Sequence, residues 1–194
     1  MTKRVLILQS HPDPAGGHYC NALGEAYADG ARQAGHSVNS IDIAKLDFGF
    51  VRTAEEWAAA APADIIDAQN AVAEADHLVI IYPLWLGTMP ALLKAFLEQL
   101  CRQDFAIRAL DGGRRWEQRL KGKSARIIVT MGMPGQIYRL YFGAHSLKSL
   151  ERNILKFAGV SPVHETLIGM VEALGDRKRA QLLERMRRLG AQAA

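Results

Sequence analysis

The residues best suited to chemistry lie in three loops, each of which follows an apolar, strand-like run. The loops span 9–18, 83–90 and 130–145. Histidines occur in the first and third loops, at His11, His18 and His145, and a tryptophan, Trp85, occupies the second. An imidazole can donate, accept or carry a proton near neutral pH. If the three strands are parallel, their carboxyl ends meet at one edge, and the sequence therefore predicts a single ligand site there.

The first loop contains two adjacent glycines, Gly16 and Gly17, directly before a predicted helix over 18–34. The amino terminus of a helix presents free N–H groups and the positive end of the helix dipole, and both favour a phosphate. Glycine lets the backbone approach such a group closely. The chain contains neither the G-x-x-x-x-G-K-S/T pattern nor the G-x-G-x-x-G pattern, so no motif supports a nucleotide hydrolase.

The rest of the chain alternates between strand-like and helix-like segments. Apolar or branched runs predict five strands, at 5–8, 37–43, 78–82, 125–130 and 163–168. Apolar residues at helical spacing predict helices at 18–34, 65–72, 90–101, 144–158 and 176–189. This alternation predicts an α/β protein with a three-layer, flavodoxin-like fold, in which helices cover both faces of a five-stranded parallel sheet of order 2-1-3-4-5. We expect a single domain over 1–194, with a polar connection at 102–123 and a loop at 131–142.

The composition limits the classes of protein that the chain can represent. Charged residues make up 23% of its 194 residues, and no apolar run approaches the roughly 20 residues that span a bilayer. We therefore expect no membrane insertion and a cytoplasmic protein. The two cysteines, Cys20 and Cys101, form no C-x-x-C pair, so neither a disulfide framework nor a metal site is expected. The net charge of +4 suits an anionic ligand but is too small to indicate nucleic-acid binding.

Two segments of the second and third loops resemble the sequence of a known family. The segment 82–99, YPLWLGTMPALLKAFLEQ, is similar to the signature P-L-x-W-x-x-x-P-A-x-L-K. The segment 130–134, with Tyr138 and then Gly143-Ala144-His145 after it, is similar to the run T-T-G-G, tyrosine, G-x-H. Both patterns are those of the NAD(P)H:quinone oxidoreductases of DT-diaphorase type. This family includes the modulator of drug activity B and the ancillary flavoproteins of potassium-efflux systems, and the resemblance covers nearly the whole chain.

The resemblance implies a flavin, either FMN or FAD, at the carboxyl edge of the sheet, with NAD(P)H as co-substrate. The flavin phosphate would lie in the first loop and the ring against the second and third loops. The implied cofactor contacts are His11, Gly17, His18, Cys20, Pro83, Leu84, Trp85, Leu86, Thr130, Met131, Gly132 and Met133. The family's catalytic pair corresponds to Tyr138 and His145, which would stabilise the charge that develops near flavin N1 and O2 when a hydride reaches N5. Near Gly17 the family's phosphate-binding hydroxyl is replaced by glycine.

The same resemblance implies an activity and an assembly. NAD(P)H would reduce the flavin, and a quinone or similar planar electrophile would then accept the hydride in the same pocket. A homodimer is expected, in which the partner subunit closes each pocket. Three alternatives stay open: a regulatory flavoprotein subunit of a potassium-efflux system, a one-electron carrier of flavodoxin type, and an azo- or nitro-compound reductase. The basic charge of the chain argues against the carrier, because flavodoxins tend to be acidic.

Overall fold

The computed structural model describes all residues 1–194 and contains seven strands. These are β1 (Arg4–Gln9), β2 (Ser37–Asp42), β3 (His77–Pro83), β4 (Ile107–Leu110), β5 (Arg115–Gln118), β6 (Ser124–Thr130) and β7 (Val163–Ile168). Five of them form a parallel sheet in the order β2-β1-β3-β6-β7. In terms of the five strands predicted from sequence, this order is 2-1-3-4-5, so the predicted flavodoxin-like topology is confirmed.

Seven α-helices connect or follow the strands. They are α1 (Tyr19–Gln33), α2 (Ala54–Ala58), α3 (Ala63–Glu74), α4 (Ala91–Leu100), α5 (Gly135–Leu140), α6 (His145–Lys148) and α7 (Asp176–Gln192). Helix α6 continues as a π-helix over Ser149–Lys156. Because right-handed crossovers carry these helices to alternate faces of the sheet, the central strands are buried on both sides.

Two hydrophobic cores lie on opposite faces of the sheet. On one face α3, α4 and α6 pack against alternate residues of the central strands, with Phe96 and Leu147 among the buried side chains. On the other face α1 and α7 cover the sheet, and Leu23 and Met186 are buried there. Helices α1 and α7 approach so closely that Gly190 leaves no room for a side chain against the backbone of Tyr27. This packing holds the long final helix against the amino-terminal half of the chain.

The structure corrects the prediction for two connections. The segment predicted as a polar connection, 102–123, contains the antiparallel hairpin β4–β5, whose turn is formed by Gly112 and Gly113. These strands have four residues each, and their polar and apolar residues do not alternate regularly. The sequence therefore shows no period of two there. The segment predicted as a loop, 131–142, contains α5, which has only six residues and so is too short to show helical periodicity. No helix combines the length and apolar character needed to cross a membrane.

Candidate functional site

The three loops that sequence analysis singled out meet at the carboxyl edge of the parallel sheet. The second loop is bonded to the third, since the Leu84 N–H donates to the Thr130 carbonyl at 2.7 Å. The third loop is bonded to the segment after β7, because the Val171 N–H donates to the Met131 carbonyl at 3.2 Å. The edge therefore comprises four connected loops, of which the fourth, 169–175, was not predicted to contribute.

Two histidines and a tryptophan form an aromatic cluster at this edge. The rings of His11 and His18 stack, with centroids 3.6 Å apart and an interplanar angle of 15°. The ring of Trp85 meets His11 edge-on, with centroids 6.1 Å apart. Strands β1 and β3 are hydrogen-bonded neighbours, and this pairing brings Trp85 next to a loop that lies some 70 residues earlier in the chain. The cluster consists of three of the residues predicted to contact a cofactor.

Asp13, which sequence analysis did not select, holds the two imidazoles in place. One of its carboxylate oxygens, Oδ2, lies 2.8 Å from Nε2 of His18, and its backbone N–H donates to Nδ1 of His11 at 3.2 Å. Since Nδ1 of His11 accepts a hydrogen bond, its proton is on Nε2, which is left as a donor. Burial, followed by the nearby His18, lowers the pKa of His11. A hydrogen bond from the Ala15 N–H, followed by one from His18, lowers the pKa of Asp13.

The start of α1 presents a group of free backbone donors beside this cluster. The N–H groups of Gly17, Tyr19 and Cys20 find no acceptor within the chain, as is usual for the first turn of a helix. Gly17 has a positive φ of 77°, and no atom lies within 4 Å of the position that a side chain would occupy. The His18 N–H donates instead to Oδ1 of Asn21 at 3.1 Å. The arrangement leaves open backbone next to free N–H groups, which suits an anion such as a phosphate.

Cys20 and Thr130 contact each other beneath the surface of the site. The Cys20 sulfur lies 3.1 Å from Oγ1 of Thr130, and both residues are buried. Burial raises the pKa of the Cys20 thiol to about 11, so the thiol is protonated near neutral pH. These two predicted contact residues thus form the floor of the site, where they join α1 to the end of β6.

The second loop is a tight turn that exposes apolar side chains. Trp85 and Thr88 exchange two backbone hydrogen bonds of 2.9 Å, and Leu86 and Gly87 between them both have positive φ. As a result the Trp85 side chain is 49% exposed and Leu86 is fully exposed, whereas Leu84 packs partly against the core below them. Exposed aromatic and aliphatic groups at a polar edge provide a surface for a flat apolar ligand.

The third loop contains both buried residues and a residue that is exposed to a ligand. Met131 is buried in the core and Met133 packs against it, while Gly132 between them is exposed. A side chain at Gly132 would lie 3.6 Å from a carboxylate oxygen of Glu172, which belongs to the fourth loop. Sequence analysis missed Glu172. The available signal was that an acidic residue follows the last strand of the sheet, at the edge where ligands bind.

Tyr138 and His145, the predicted catalytic pair, have very different surroundings. Tyr138 is only 1% exposed, and its hydroxyl accepts a hydrogen bond from the Leu147 N–H at 3.3 Å. Burial raises the pKa of this hydroxyl. The hydroxyl is thus engaged with the backbone of this chain, and the catalytic role of Tyr138 stays a prediction. His145, by contrast, is exposed at the start of α6.

Two contacts fix the segment that carries His145. Gly143 has a φ of 64°, and a methyl group at this position would lie 2.7 Å from Nε2 of His145, so the imidazole in this position occupies space that a side chain at 143 would take. Next to His145, the Ser146 hydroxyl lies 2.8 Å from the Thr88 hydroxyl and accepts from the Met89 N–H at 3.2 Å. Sequence analysis missed Ser146, which joins the third loop to the second.

The strand order and the ligand edge define a flavodoxin-like α/β protein whose site is built from loops at the carboxyl ends of parallel strands. Comparison with known families agrees with this class. The chain belongs to the flavodoxin-like fold family, which matches residues 3–191.

Individual proteins resemble the chain in sequence and in structure. It is 26% identical over 188 residues to an uncharacterized NAD(P)H oxidoreductase of Haemophilus influenzae, covering 92% of this chain and 90% of that protein. It is 31% identical over 148 residues to FMN-dependent NADH:quinone oxidoreductase 1 of Hahella chejuensis, covering 69% and 68%. The solved structure of an NAD(P)H:quinone oxidoreductase from Methanothermobacter marburgensis superposes with a TM-score of 0.85 at 24% identity, covering 100% of both chains, and so shares the fold.

Proposed function

We propose that this protein is an FMN-dependent NAD(P)H oxidoreductase that reduces quinones or similar planar electrophiles. The observation that carries the proposal is the position of free backbone donors and an exposed aromatic wall at one sheet edge. The N–H groups of Gly17, Tyr19 and Cys20 suit a phosphate, and the Trp85 side chain beside them suits a flat ring. The relative from Hahella chejuensis supports both the cofactor and the reaction class, because it is FMN-dependent and is 31% identical.

The residues at this edge fit FMN in charge and in shape. The first turn of α1 would hold the phosphate at the positive end of the helix dipole, and the imidazole of His18 would add a side-chain donor there. The second loop would line the ring through Trp85 and Leu86, and Gly132 would allow the ring to approach the backbone of the third loop. The floor formed by Cys20 and Thr130 is neutral and buried, and it would exclude water beneath a bound flavin. The relatives give no support for FAD, whose adenosine would need space beyond the first loop.

A bound flavin would supply the hydride chemistry itself, and the protein's part is to orient substrates and to stabilise charge. His145 is exposed at the edge of the third loop, where its imidazole can donate a hydrogen bond to negative charge. The Nε2 of His11, which lies in the first loop, is a second donor that a ligand at this edge could use. Tyr138 acts as a positioning residue, because its hydroxyl holds the backbone of Leu147, two residues after His145.

The homodimer and the cytoplasmic location are further parts of this proposal. Four apolar side chains within the third loop are exposed, namely Ile137, Leu140, Tyr141 and Phe142. A soluble monomer seldom exposes such a contiguous apolar patch, and a partner subunit covering it would also close the ligand edge. Both cysteines are free thiols, which is typical of a reducing compartment.

The proposal is tested by loading the protein separately with FMN and with FAD and measuring NADPH and NADH oxidation with benzoquinone as acceptor. We expect saturable turnover with FMN and with at least one of the two nucleotides. A Trp85→Ala variant should raise the KM for the quinone, whereas Trp116→Ala, a matched change of an exposed tryptophan outside the site, should not. Binding of FMN without any turnover would favour a regulatory flavoprotein, and failure to bind either flavin would contradict the proposal.

A further inference from the structure

The outer strand of the sheet on the β7 side has a free edge. The N–H groups of Ala125 and Met131 in and after β6 donate to the carbonyls of Pro162 and Ile168, each at 2.9 Å. Backbone groups alternate in direction along a strand, so the even-numbered residues of β7 face β6 and the odd-numbered residues face outward. The outward N–H and C=O groups belong to Val163, Glu165 and Leu167, and none of them has a hydrogen-bond partner within the chain.

A groove runs along this edge. It consists of two adjoining clefts of about 470 and 550 Å³, which share Arg139 and Glu165 as lining residues. The first cleft extends along β7 to Gly169, and the second extends back to Val163. The groove therefore follows the whole length of the strand and leaves its outward backbone groups accessible.

The walls of the groove carry unpaired positive charge. Lys148 and Arg152 project from α6 and the π-helix, Arg185 projects from α7, and all three are exposed and form no ion pair. The two acidic residues of the groove are already paired, because Glu165 bonds to Arg139 and Glu151 bonds to Lys156. The free charge at this edge is thus positive on both walls.

The opposite edge of the sheet, at β2, differs in the state of its outward backbone groups and in the cleft beside it. Strand β2 also lacks an outer neighbour, but the outward N–H of Ser40 is occupied by Oδ1 of Asn39 at 2.8 Å. The groove along β7 does not extend to β2. Proteins usually block exposed strand edges, since these pair readily with other chains. The β2 edge is partly blocked by the Asn39 side chain, whereas the β7 edge is open and lies in a groove.

We propose that an extended, acidic peptide segment of a partner protein binds in this groove and adds to β7 as a sixth strand. The outward backbone groups supply alternating donors and acceptors, which a peptide backbone complements, and Lys148, Arg152 and Arg185 attract its acidic side chains. A polyphosphate or a nucleic acid backbone could use the N–H groups and the cations but would leave the carbonyls unpaired. A second copy of this chain would bring the same three cations against one another.

The backbone pairing is tested with a fluorescein-labelled, nine-residue peptide of alternating glutamate and threonine, measured by fluorescence anisotropy on the FMN-loaded protein. A matched peptide carries an N-methyl group on every residue, so that its charge is unchanged but neither of its edges can donate hydrogen bonds to a strand. We expect N-methylation to weaken binding by about tenfold or more, and the parent peptide to slow amide hydrogen exchange at Val163, Glu165 and Leu167. Equal affinity of the two peptides, or binding of neither, overturns the proposal.

The charge contribution is tested on the protein. We expect Arg152→Glu and Arg185→Glu, one on each wall, to weaken peptide binding by about tenfold each. Arg114→Glu makes the same change of charge at an exposed, unpaired arginine that lines neither cleft, and should change the affinity little. Because none of these residues lies at the flavin edge, quinone reduction should be unchanged in all three variants. An equal loss of peptide affinity in all three would show only long-range attraction and would overturn the proposal.

Discussion

His18 stacks face to face on His11, with ring centroids 3.6 Å apart, while its Nε2 lies 2.8 Å from the carboxylate of Asp13. His18 is also the residue that precedes the first turn of α1, so the Asp13-held imidazole lies directly beside the free N–H groups there. The family hydroxyl that would bind a phosphate is absent near Gly17. We therefore expect the His18 imidazole to supply a hydrogen-bond donor to the phosphate in place of that hydroxyl.

Removing this imidazole should weaken the binding of FMN but not of riboflavin. A hydrogen bond to a charged group contributes about 1.5–3 kcal/mol, so His18→Ala should raise the Kd for FMN by about tenfold or more. Riboflavin lacks the phosphate, and its Kd should change little. Flavin fluorescence quenching measures both constants. His164→Ala, which removes an exposed histidine from β7, is the control, and an equal loss for the two flavins would contradict a role in phosphate binding.

A methyl group at Gly143 should displace the imidazole of His145. It would lie 2.7 Å from Nε2, so Gly143→Ala should lower kcat for quinone reduction by about tenfold or more while the Kd for FMN stays the same. Gly35→Ala is the matched control, because Gly35 also has a positive φ but no atom lies within 4 Å of the added methyl group. It should cost stability of about 1 kcal/mol without changing kcat. Equal kcat values in the two variants would remove His145 from the catalytic account.

Tyr138→Phe distinguishes a positioning role from direct catalysis. The hydroxyl is buried and accepts from the Leu147 N–H, which the substitution leaves without a partner. We expect the free energy of unfolding to fall by about 1–3 kcal/mol, with at most a small loss of kcat. Urea denaturation and steady-state kinetics on the same preparation give both quantities. A loss of kcat by a factor of a hundred or more at unchanged stability would restore the catalytic role that the sequence resemblance implies.

The stability of the fold should decrease as the pH falls below about 6.5, because His77 is buried in the neutral form. Its ring contacts the Tyr27 hydroxyl at 3.0 Å and the Ser124 hydroxyl at 2.7 Å, and burial lowers its pKa to about 3. In the unfolded chain the imidazole takes up a proton from about pH 6.5 downward, whereas in the folded chain it does not until about pH 3. The contribution of His77 is therefore complete above pH 6.5 and is lost between these two values.

Urea denaturation at pH 7.5 and pH 5 measures this effect. The wild-type protein should lose about 2 kcal/mol more than a His77→Gln variant over this range, since one pKa unit corresponds to about 1.4 kcal/mol. The neighbouring Asp76 does not interfere, because its pKa of about 2 restricts its contribution to lower pH. An identical pH dependence in the two proteins would contradict the buried neutral state of His77.

The sequence predicts the sheet and the place of the site better than it predicts contacts within the site. Strand β3 is apolar over 78–82 and β6 over 127–129 because helices cover both their faces, and this pattern is visible without a structure. Once the strands are known to be parallel, the loops that follow them must meet at one edge. The hairpin β4–β5 and α5 were missed because four- and six-residue elements show too few repeats to reveal a period.

Side-chain direction could not be read from the sequence. Tyr138 lies in a segment that sequence motifs associate with a ligand, yet α5 turns its ring into the core. The pairing of Asp13 with His18 and the approach of Glu172 to Gly132 depend on loop conformations with several positive φ angles, for which short-range patterns give no rule. These contacts are visible only in the three-dimensional structure.

The central claim is tested most directly by the anaerobic absorption spectrum of the FMN-loaded protein before and after one equivalent of NADPH or NADH. We predict that the absorbance of oxidised FMN disappears promptly with at least one nucleotide and returns when benzoquinone is added. Tightly bound FMN that neither nucleotide bleaches would contradict the assignment of this protein as an NAD(P)H oxidoreductase.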